Sequence, residues 1–224
     1  MTALVERVNY KYMNMQDIIN EIRLYEKNNL NFFLEALDDI KSKNKDTNTM
    51  VELGCETAHY SALFNEKFNN QCKNIVVEPV IEWYQRFGEK YFQDKKNIYF
   101  YNNYIGEILW AGWGGQNDQK VIDIKSKVNQ ISFNQILSDS NTDYIDILHM
   151  DMQGTEYFIL KEIIENNLIE KTNYIFIMTH SFDNINYNSY LDLMRNNLSH
   201  KILFNDPSYR ENGDGLIILK NKNS

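Results

Sequence analysis

The chain has 224 residues, of which 43% are hydrophobic and 24% charged, so it suits one large α/β domain and excludes wholesale disorder. Its net charge of −8 argues against a nucleic-acid partner, because an acidic surface repels phosphate groups. Two cysteines are too few for a disulfide scaffold, and the sequence shows neither a signal-like segment nor a run of about 18 apolar residues. We therefore expect a cytoplasmic protein without a membrane span.

The first 48 residues are predicted to form a helical extension, because apolar residues recur at helical spacing over residues 15–43. Asn28 and Asn29 are expected to divide this stretch into two helices, since asparagine favours turns. Two roles stay open for the extension: it covers a ligand pocket, or it forms the contact of a homodimer.

Strands and helices are predicted to alternate over residues 49–224, which we expect to form one domain. The predicted strands are residues 49–53, 74–78, 97–101, 144–150, 173–178, 201–204 and 215–219. The predicted helices are residues 58–68, 82–92, 133–137, 156–166 and 189–197. This alternation indicates a Rossmann-like, mostly parallel sheet of seven strands with helices on both faces. The gap before the last strand leaves little room for a helix, so one antiparallel strand is expected at the end of the sheet.

Two polar positions follow the first two predicted strands, at the sheet edge where α/β proteins bind ligands. Gly54 lets a ligand approach the backbone closely because it has no side chain. Glu78 ends the second strand, where a carboxylate can accept hydrogen bonds from both hydroxyls of a ribose. Each residue alone could equally be a plain turn or a solvated strand end, but together they predict a nucleoside site.

A nicotinamide cofactor also carries a ribose, but its diphosphate requires the glycine pattern G-x-G-x-x-G. Glu56 and His59 stand at the second and third glycine positions of that pattern. A carboxylate in this turn would repel a diphosphate, whereas it suits the positively charged methionine end of S-adenosylmethionine. The turn therefore favours S-adenosylmethionine over a nicotinamide cofactor.

Three stretches carry a family resemblance: Val51-Glu52-Leu53-Gly54-Cys55, Val77-Glu78-Pro79, and residues 145–156, an apolar strand that leads into D-x-x-G-x-E. They resemble motifs of the FkbM family of S-adenosylmethionine-dependent methyltransferases, and Asn212-Gly213-Asp214-Gly215 also fits that family. The chain departs from the family at Cys55-Glu56-Thr57 and at His149, where lysine is frequent. The resemblance covers about residues 49–219 and implies O-methylation of a sugar-containing or other hydroxylated metabolite or glycan.

The positions of these motifs and the resemblance together predict a cofactor site. Its residues lie at or just beyond the ends of the first four strands. The expected cofactor contacts are Glu52, Gly54, Cys55, Thr57, His59, Glu78, Pro79, Asn103, Gly106 and Asp151.

Three residues near the ends of the fourth and fifth strands are the expected catalytic groups, because a hydroxyl acceptor needs a nearby base. Asp151 could orient the acceptor or take its proton, although aspartate here could also cap the next helix. Glu156 could act likewise or only oppose the helix dipole, and the ordinary pKa of His180 would suit proton abstraction near neutral pH. We expect no metal; an ion such as Mg²⁺, if bound, would use Asp151, Glu156 and His180.

Two other functions stay open: a non-catalytic binding module that kept the sheet, and an NAD-type oxidoreductase, which the missing glycines oppose. Residues 107–111 and 120–125 are expected to form a hairpin, with the aromatic, glycine-rich residues 110–115 as its turn or as a lid. His149 is expected in the core and His200 at the surface.

Overall fold

The computed structural model of the chain describes residues 12–22, 27–43, 45–106, 124–181, 184–195, 199–208 and 214–224. The expected hairpin over residues 107–125 lies outside these residues except for its last two, which are helical rather than extended. Residues 110–115 also lie outside them, so a turn or lid there stays a prediction.

The described residues form nine strands, eight α-helices and a 3₁₀-helix over Leu168–Lys171, and residues 124–127 are also helical. The strands are β1 (Asn48–Leu53), β2 (Cys72–Val77), β3 (Ile98–Tyr101), β4 (Tyr104–Ile105), β5 (Gln130–Ile131), β6 (Ile145–Met150), β7 (Thr172–Thr179), β8 (His200–Asp206) and β9 (Gly215–Asn221). The helices are α1 (Met15–Glu21), α2 (Lys27–Ser42), α3 (His59–Lys67), α4 (Ile81–Tyr84), α5 (Gly88–Phe92), α6 (Phe133–Asp139), α7 (Glu156–Glu165) and α8 (Tyr187–Arg195).

The main sheet has seven strands in the order β3-β2-β1-β6-β7-β9-β8. Its strand pairs are parallel except for those of β9, which runs antiparallel to both β7 and β8. The predicted fold is therefore confirmed, and β4 with β5 adds a small second sheet. Strand order reverses between β1 and β6, and the crevice at such a reversal is where α/β sheets bind their ligands.

Two hydrophobic cores cover the two faces of the main sheet, because successive strand residues point to opposite sides. Met50 belongs to the core formed with α1 to α5, and its neighbour Val51 belongs to the core formed with α6 to α8. The N-terminal helices α1 and α2 share the first core with the sheet, whereas a domain boundary at residue 48 stays a prediction.

Three local expectations differ from the structure. Asn28 and Asn29 lie within α2 rather than at a break, and the buried amide of Asn29 donates a hydrogen bond to the hydroxyl of Tyr60 at 3.0 Å. The helix expected over residues 82–92 is divided into α4 and α5. His200 is buried, with Nε2 2.9 Å from the carbonyl oxygen of Thr172, so the surface position expected for it is wrong.

Other expectations agree with the structure. His149 is a buried core residue that stacks on the ring of Tyr60 at 4.4 Å, and Cys55 and Cys72 are buried free thiols. Among the described residues, no helix combines the length and the apolar character that crossing a membrane requires.

Replacing Phe33 by alanine tests the packing of α2 on the sheet. The Phe33 ring is fully buried, 4.9 Å from the ring of Tyr60 and 5.6 Å from that of Phe176 in β7. Phe33→Ala should therefore lower the free energy of unfolding by about 3–5 kcal/mol in denaturant titrations. The control is Glu35→Ala on the exposed face of α2, which should change it by less than about 0.5 kcal/mol. Equal effects of both variants would show that α2 does not share the core.

Candidate active site

The turn after β1 lies against the chain that leaves β6. Gly54 has a φ of +71° and donates its N–H to the carbonyl of Val77 at 2.9 Å. A Cβ atom at this position would lie 2.1 Å from the carbonyl oxygen of Asp151. The N–H of Asp151 in turn donates to the carbonyl of Leu53 at 3.0 Å. Glycine is therefore required here, and the close approach that it permits places Asp151 beside the first turn.

The rest of this turn reaches the left-handed conformation without glycine. Glu56 has a φ of 47° and Ala58 a φ of 63°, a region that is unfavourable by roughly 1–2 kcal/mol for residues other than glycine. Two hydrogen bonds hold the conformation: Glu56 N–H donates to Oε2 of Glu78 at 2.9 Å, and Ala58 N–H donates to the carbonyl of Cys55 at 2.7 Å.

Glu78 joins the turns after β1 and β2. Its carboxylate accepts the N–H of Glu56 at Oε2 and the N–H of Val80 at Oε1, the latter at 2.8 Å. The side-chain amide of Asn102 donates to the carbonyls of Glu78 and Pro79 at 3.0 and 3.1 Å, which fixes the end of β2. Burial raises the pKa of Glu78 to about 8, although the two backbone hydrogen bonds oppose this shift.

The other expected cofactor residues near the first turn are mostly engaged within the protein. Glu52 is buried, and its Oε2 accepts the N–H of Ser61 in the first turn of α3 at 3.0 Å. Burial raises the pKa of the Cys55 thiol well above its ordinary value. Thr57 Oγ1 lies 2.7 Å from Nδ1 of His59. The N-terminus of α3 is thus already paired with a carboxylate, which leaves an unfavourable place for a diphosphate.

Two further expected cofactor residues lie between β3 and the undescribed residues 107–123. The amide of Asn103 donates to the carbonyl of Asn129 at 2.9 Å. Gly106 has a φ of +64°, and a Cβ atom there would lie 2.6 Å from Cγ2 of Thr155. Gly106 therefore contacts the loop between β6 and α7, whereas Asn103 is engaged with the backbone before β5.

The three expected catalytic residues form one cluster at the carboxyl ends of β6 and β7. His180 Nδ1 lies 2.9 Å from Oε1 of Glu156, and His180 Nε2 lies 3.5 Å from Oδ1 of Asp151. The three side chains each offer a ligand atom within 4.8 Å of the others. Thr155, not Asp151, occupies the N-cap position of α7, so Asp151 does not cap that helix. The catalytic role of the cluster stays a prediction.

The charge of this cluster is set by burial and by its carboxylates. Burial alone would lower the pKa of His180, but Glu156, Asp151 and Asp214 raise it to about 9. His180 is thus an imidazolium at neutral pH in the cluster as it stands. This differs from the ordinary imidazole pKa expected from the sequence, and it makes direct proton abstraction by His180 unfavourable near pH 7.

Asp214 is a further member of the cluster that was not predicted from the sequence. Its Oδ2 lies 3.8 Å from Nε2 of His180. The predicted residues follow parallel strands, but the antiparallel strand β9 begins at the same edge, where Gly215 pairs with Thr179. The antiparallel direction predicted for the last strand was the signal that could have found it.

Comparison with known proteins shows the fold. No protein-family model and no curated protein matches the sequence. The methyltransferase domain of METTL16 superposes with a TM-score of 0.50 at 11% identity, over 86% of this chain and 67% of that one. Precorrin-6y C5,15-methyltransferase from Geobacter metallireducens gives 0.47 at 12% identity, over 85% of this chain and 86% of that one.

A protein from Streptococcus mutans described as a SAM-dependent methyltransferase gives a TM-score of 0.49 at 11% identity. The match covers 89% of this chain but spans only 49% of that protein. The match to the METTL16 domain shows that the chain shares the Rossmann-like fold of that domain. Membership of the FkbM family stays a prediction.

Replacing Gly54 by alanine tests the contact between the two turns. The added methyl group would meet the Asp151 carbonyl and would have to adopt a positive φ, so we expect Gly54→Ala to lose more than about 2 kcal/mol of unfolding free energy. The matched control is Ala58→Gly, where relief of the left-handed strain offsets the lost methyl group and the change should stay within about 1 kcal/mol. A well-tolerated Gly54→Ala would refute the close approach.

The raised pKa of Glu78 predicts a pH dependence of stability. Its folded-state pKa of about 8 lies above the unfolded value of about 4.3, so the native state binds more protons between these values and stability falls as pH rises. The full slope is roughly 1.4 kcal/mol per pH unit. We expect Glu78→Gln to flatten the decline between about pH 5 and 5.5, where His180 is protonated in both states because its unfolded pKa is about 6.5 and its folded pKa about 9. Identical pH profiles of unfolding in the variant and the unmodified chain would contradict this.

Proposed function

We propose that this chain is an S-adenosylmethionine-dependent methyltransferase that methylates a hydroxyl of a sugar-containing or other hydroxylated metabolite or glycan. The observation that carries the proposal is that the predicted cofactor turn and the predicted catalytic residues are in contact at one edge of the sheet. Gly54 packs against Asp151, so the predicted cofactor turn and the cluster of Asp151, Glu156 and His180 are direct neighbours.

Glu78 is the proposed ligand of the ribose. Each carboxyl oxygen of Glu78 accepts one backbone N–H, which fixes the group in place. Its raised pKa of about 8 describes the chain without ligand. In the ionised form each oxygen has a second lone-pair site, and hydrogen bonds from ribose hydroxyls would favour that form. Two vicinal hydroxyls match this arrangement, because they can donate to the two oxygens of one carboxylate.

The charges near this edge favour a cationic cofactor. Glu56 and Asp151 lie beside the turn, and the buried carboxylate of Glu52 already accepts an N–H at the start of α3. A diphosphate would meet carboxylates where it needs N–H donors. The sulfonium and amino groups of S-adenosylmethionine would instead be attracted. These contacts argue against the NAD-type alternative.

Asp151 is the proposed group that contacts the acceptor. Its side chain is 23% exposed, whereas those of Glu156 and His180 are 0% and 3% exposed. In the reaction, the hydroxyl oxygen of the acceptor attacks the methyl carbon, the bond from that carbon to sulfur breaks, and Asp151 receives the hydroxyl proton. Positioning of the two reactants supplies much of the rate in such an in-line displacement.

A small molecule or glycan is the proposed acceptor rather than a nucleic acid. The net charge of −8 and the carboxylates at the site both oppose the approach of a phosphate backbone.

Calorimetric titration with S-adenosylhomocysteine and with NAD⁺ tests the cofactor. We expect the first ligand to bind and the second to give no saturable heat. Glu78→Ala should weaken binding at least tenfold, because it removes the partner of the ribose hydroxyls, and Glu82→Ala on α4 is the control. Thermal unfolding of each variant confirms that it is folded. Binding of NAD⁺ alone, or equal affinity of the Glu78 variant, would overturn the assignment.

Replacing Asp151 by asparagine separates catalysis from cofactor binding. The change keeps the size of the side chain but removes its ability to take a proton. Asp151→Asn should bind S-adenosylhomocysteine within about threefold of the unmodified chain and lose at least 100-fold in transfer of a radiolabelled methyl group to a panel of hydroxylated compounds. Binding with no transfer to the panel by the unmodified chain would instead favour the non-catalytic binding module.

A further inference from the structure

We propose that His180, Asp151 and Asp214 bind a divalent transition-metal ion, with Glu156 as the carboxylate that orients His180. The effect of the ion on the acceptor rests on the proposed function, but the metal site does not. The site itself is argued from the four side chains, and its test does not require methyl transfer.

Glu156 is unsuited to bind the ion directly, because its oxygens are already used. Oε1 accepts the N–H of Met152 and faces Nδ1 of His180, and Oε2 accepts the N–H of Gly154 at 2.8 Å. The side chain is fully buried at the start of α7. It would have to abandon two backbone groups to reach an ion, so it acts on His180 instead.

The contact with Glu156 determines which imidazole nitrogen faces the other carboxylates. A carboxylate 2.9 Å from Nδ1 accepts its N–H, so Nε2 is the nitrogen that can act as a ligand. A carboxylate that holds one nitrogen of a histidine while the other binds a metal is a recurrent arrangement in metal sites.

Nε2 of His180 makes no hydrogen bond with any of the described residues, although only 3% of the side chain is exposed. Its neighbours are Oδ1 of Asp151 at 3.5 Å and Oδ2 of Asp214 at 3.8 Å. Both distances exceed those of a good hydrogen bond. They are close to the separation of about 3.0–3.5 Å between donor atoms that share one ion at bond lengths of about 2.1 Å.

One imidazole nitrogen and two carboxylate oxygens define the class of ion. Imidazole suits Zn²⁺ and Fe²⁺, carboxylates suit Mn²⁺ and Mg²⁺, and Ca²⁺ needs six to eight oxygens. Mn²⁺ accepts both kinds of donor and has a direct spectroscopic signal, so it is the probe for the test. Three protein ligands leave further coordination positions for water or a substrate oxygen.

An ion in this position would act on the acceptor hydroxyl, in keeping with the exposed side of Asp151. A hydroxyl oxygen bound to a divalent cation loses its proton more readily. With the ion held by one oxygen of Asp151, the second oxygen would receive the hydroxyl proton. The hydroxyl oxygen would attack the methyl carbon as the bond from that carbon to sulfur breaks.

Titration of the tag-free full chain with Mn²⁺, followed by the electron paramagnetic resonance signal of the free ion, tests the site. We expect saturable binding of one Mn²⁺ per chain in the absence of any cofactor. Asp214→Asn and His180→Gln should each weaken binding at least tenfold, and Glu156→Gln should do so through the lost orientation of His180.

The matched control is Asp192→Asn, whose side chain is 66% exposed on α8, and it should bind Mn²⁺ like the unmodified chain. Thermal unfolding checks that each variant is folded. No saturable binding to the unmodified chain, or unchanged binding in folded Asp214→Asn and His180→Gln, would overturn the inference. If the chain binds S-adenosylhomocysteine but not Mn²⁺, only the metal site is overturned. If it binds Mn²⁺ but not S-adenosylhomocysteine, only the proposed function is overturned.

Discussion

The close approach of the turn after β1 to the chain leaving β6 is the contact on which the site depends. Gly54 permits it because a Cβ atom would overlap the Asp151 carbonyl. The same turn is tied to β2 through Glu56 and Glu78. Three neighbouring parallel strands, β2, β1 and β6, are thereby fixed to one another at their carboxyl ends. The proposed cofactor and acceptor groups are adjacent because this backbone contact is short.

Electrostatics distinguish the two halves of the site. The cofactor half contains Glu78, a buried carboxylate with a raised pKa that accepts two N–H groups. The acceptor half contains Asp151, Asp214 and Glu156 around His180. An edge so rich in carboxylates opposes the binding of a diphosphate and attracts cations. The sulfonium of the proposed cofactor and the inferred metal ion are both cations, so the same charges favour both.

The fold could be predicted from the sequence because short apolar runs alternate with segments of helical spacing. The antiparallel direction of the last strand could be predicted because the connection before it is short. The proximity of Asp151, Glu156 and His180 also follows, since parallel strands end at one edge. Other features depend on tertiary contacts that spacing does not encode. Asn29 lies inside α2, where its buried amide donates to the hydroxyl of Tyr60. Asp214, directly before the antiparallel strand β9, adds to the carboxylates that raise the pKa of His180.

The central claim is that the joined turns hold an adenosyl group with its reacting end toward Asp151. A crystal structure of the chain with S-adenosylhomocysteine tests it most directly. The account predicts both ribose hydroxyls within hydrogen-bonding distance of Glu78 and the sulfur facing Asp151. A nucleoside bound elsewhere, or a ribose without contact to Glu78, would contradict it.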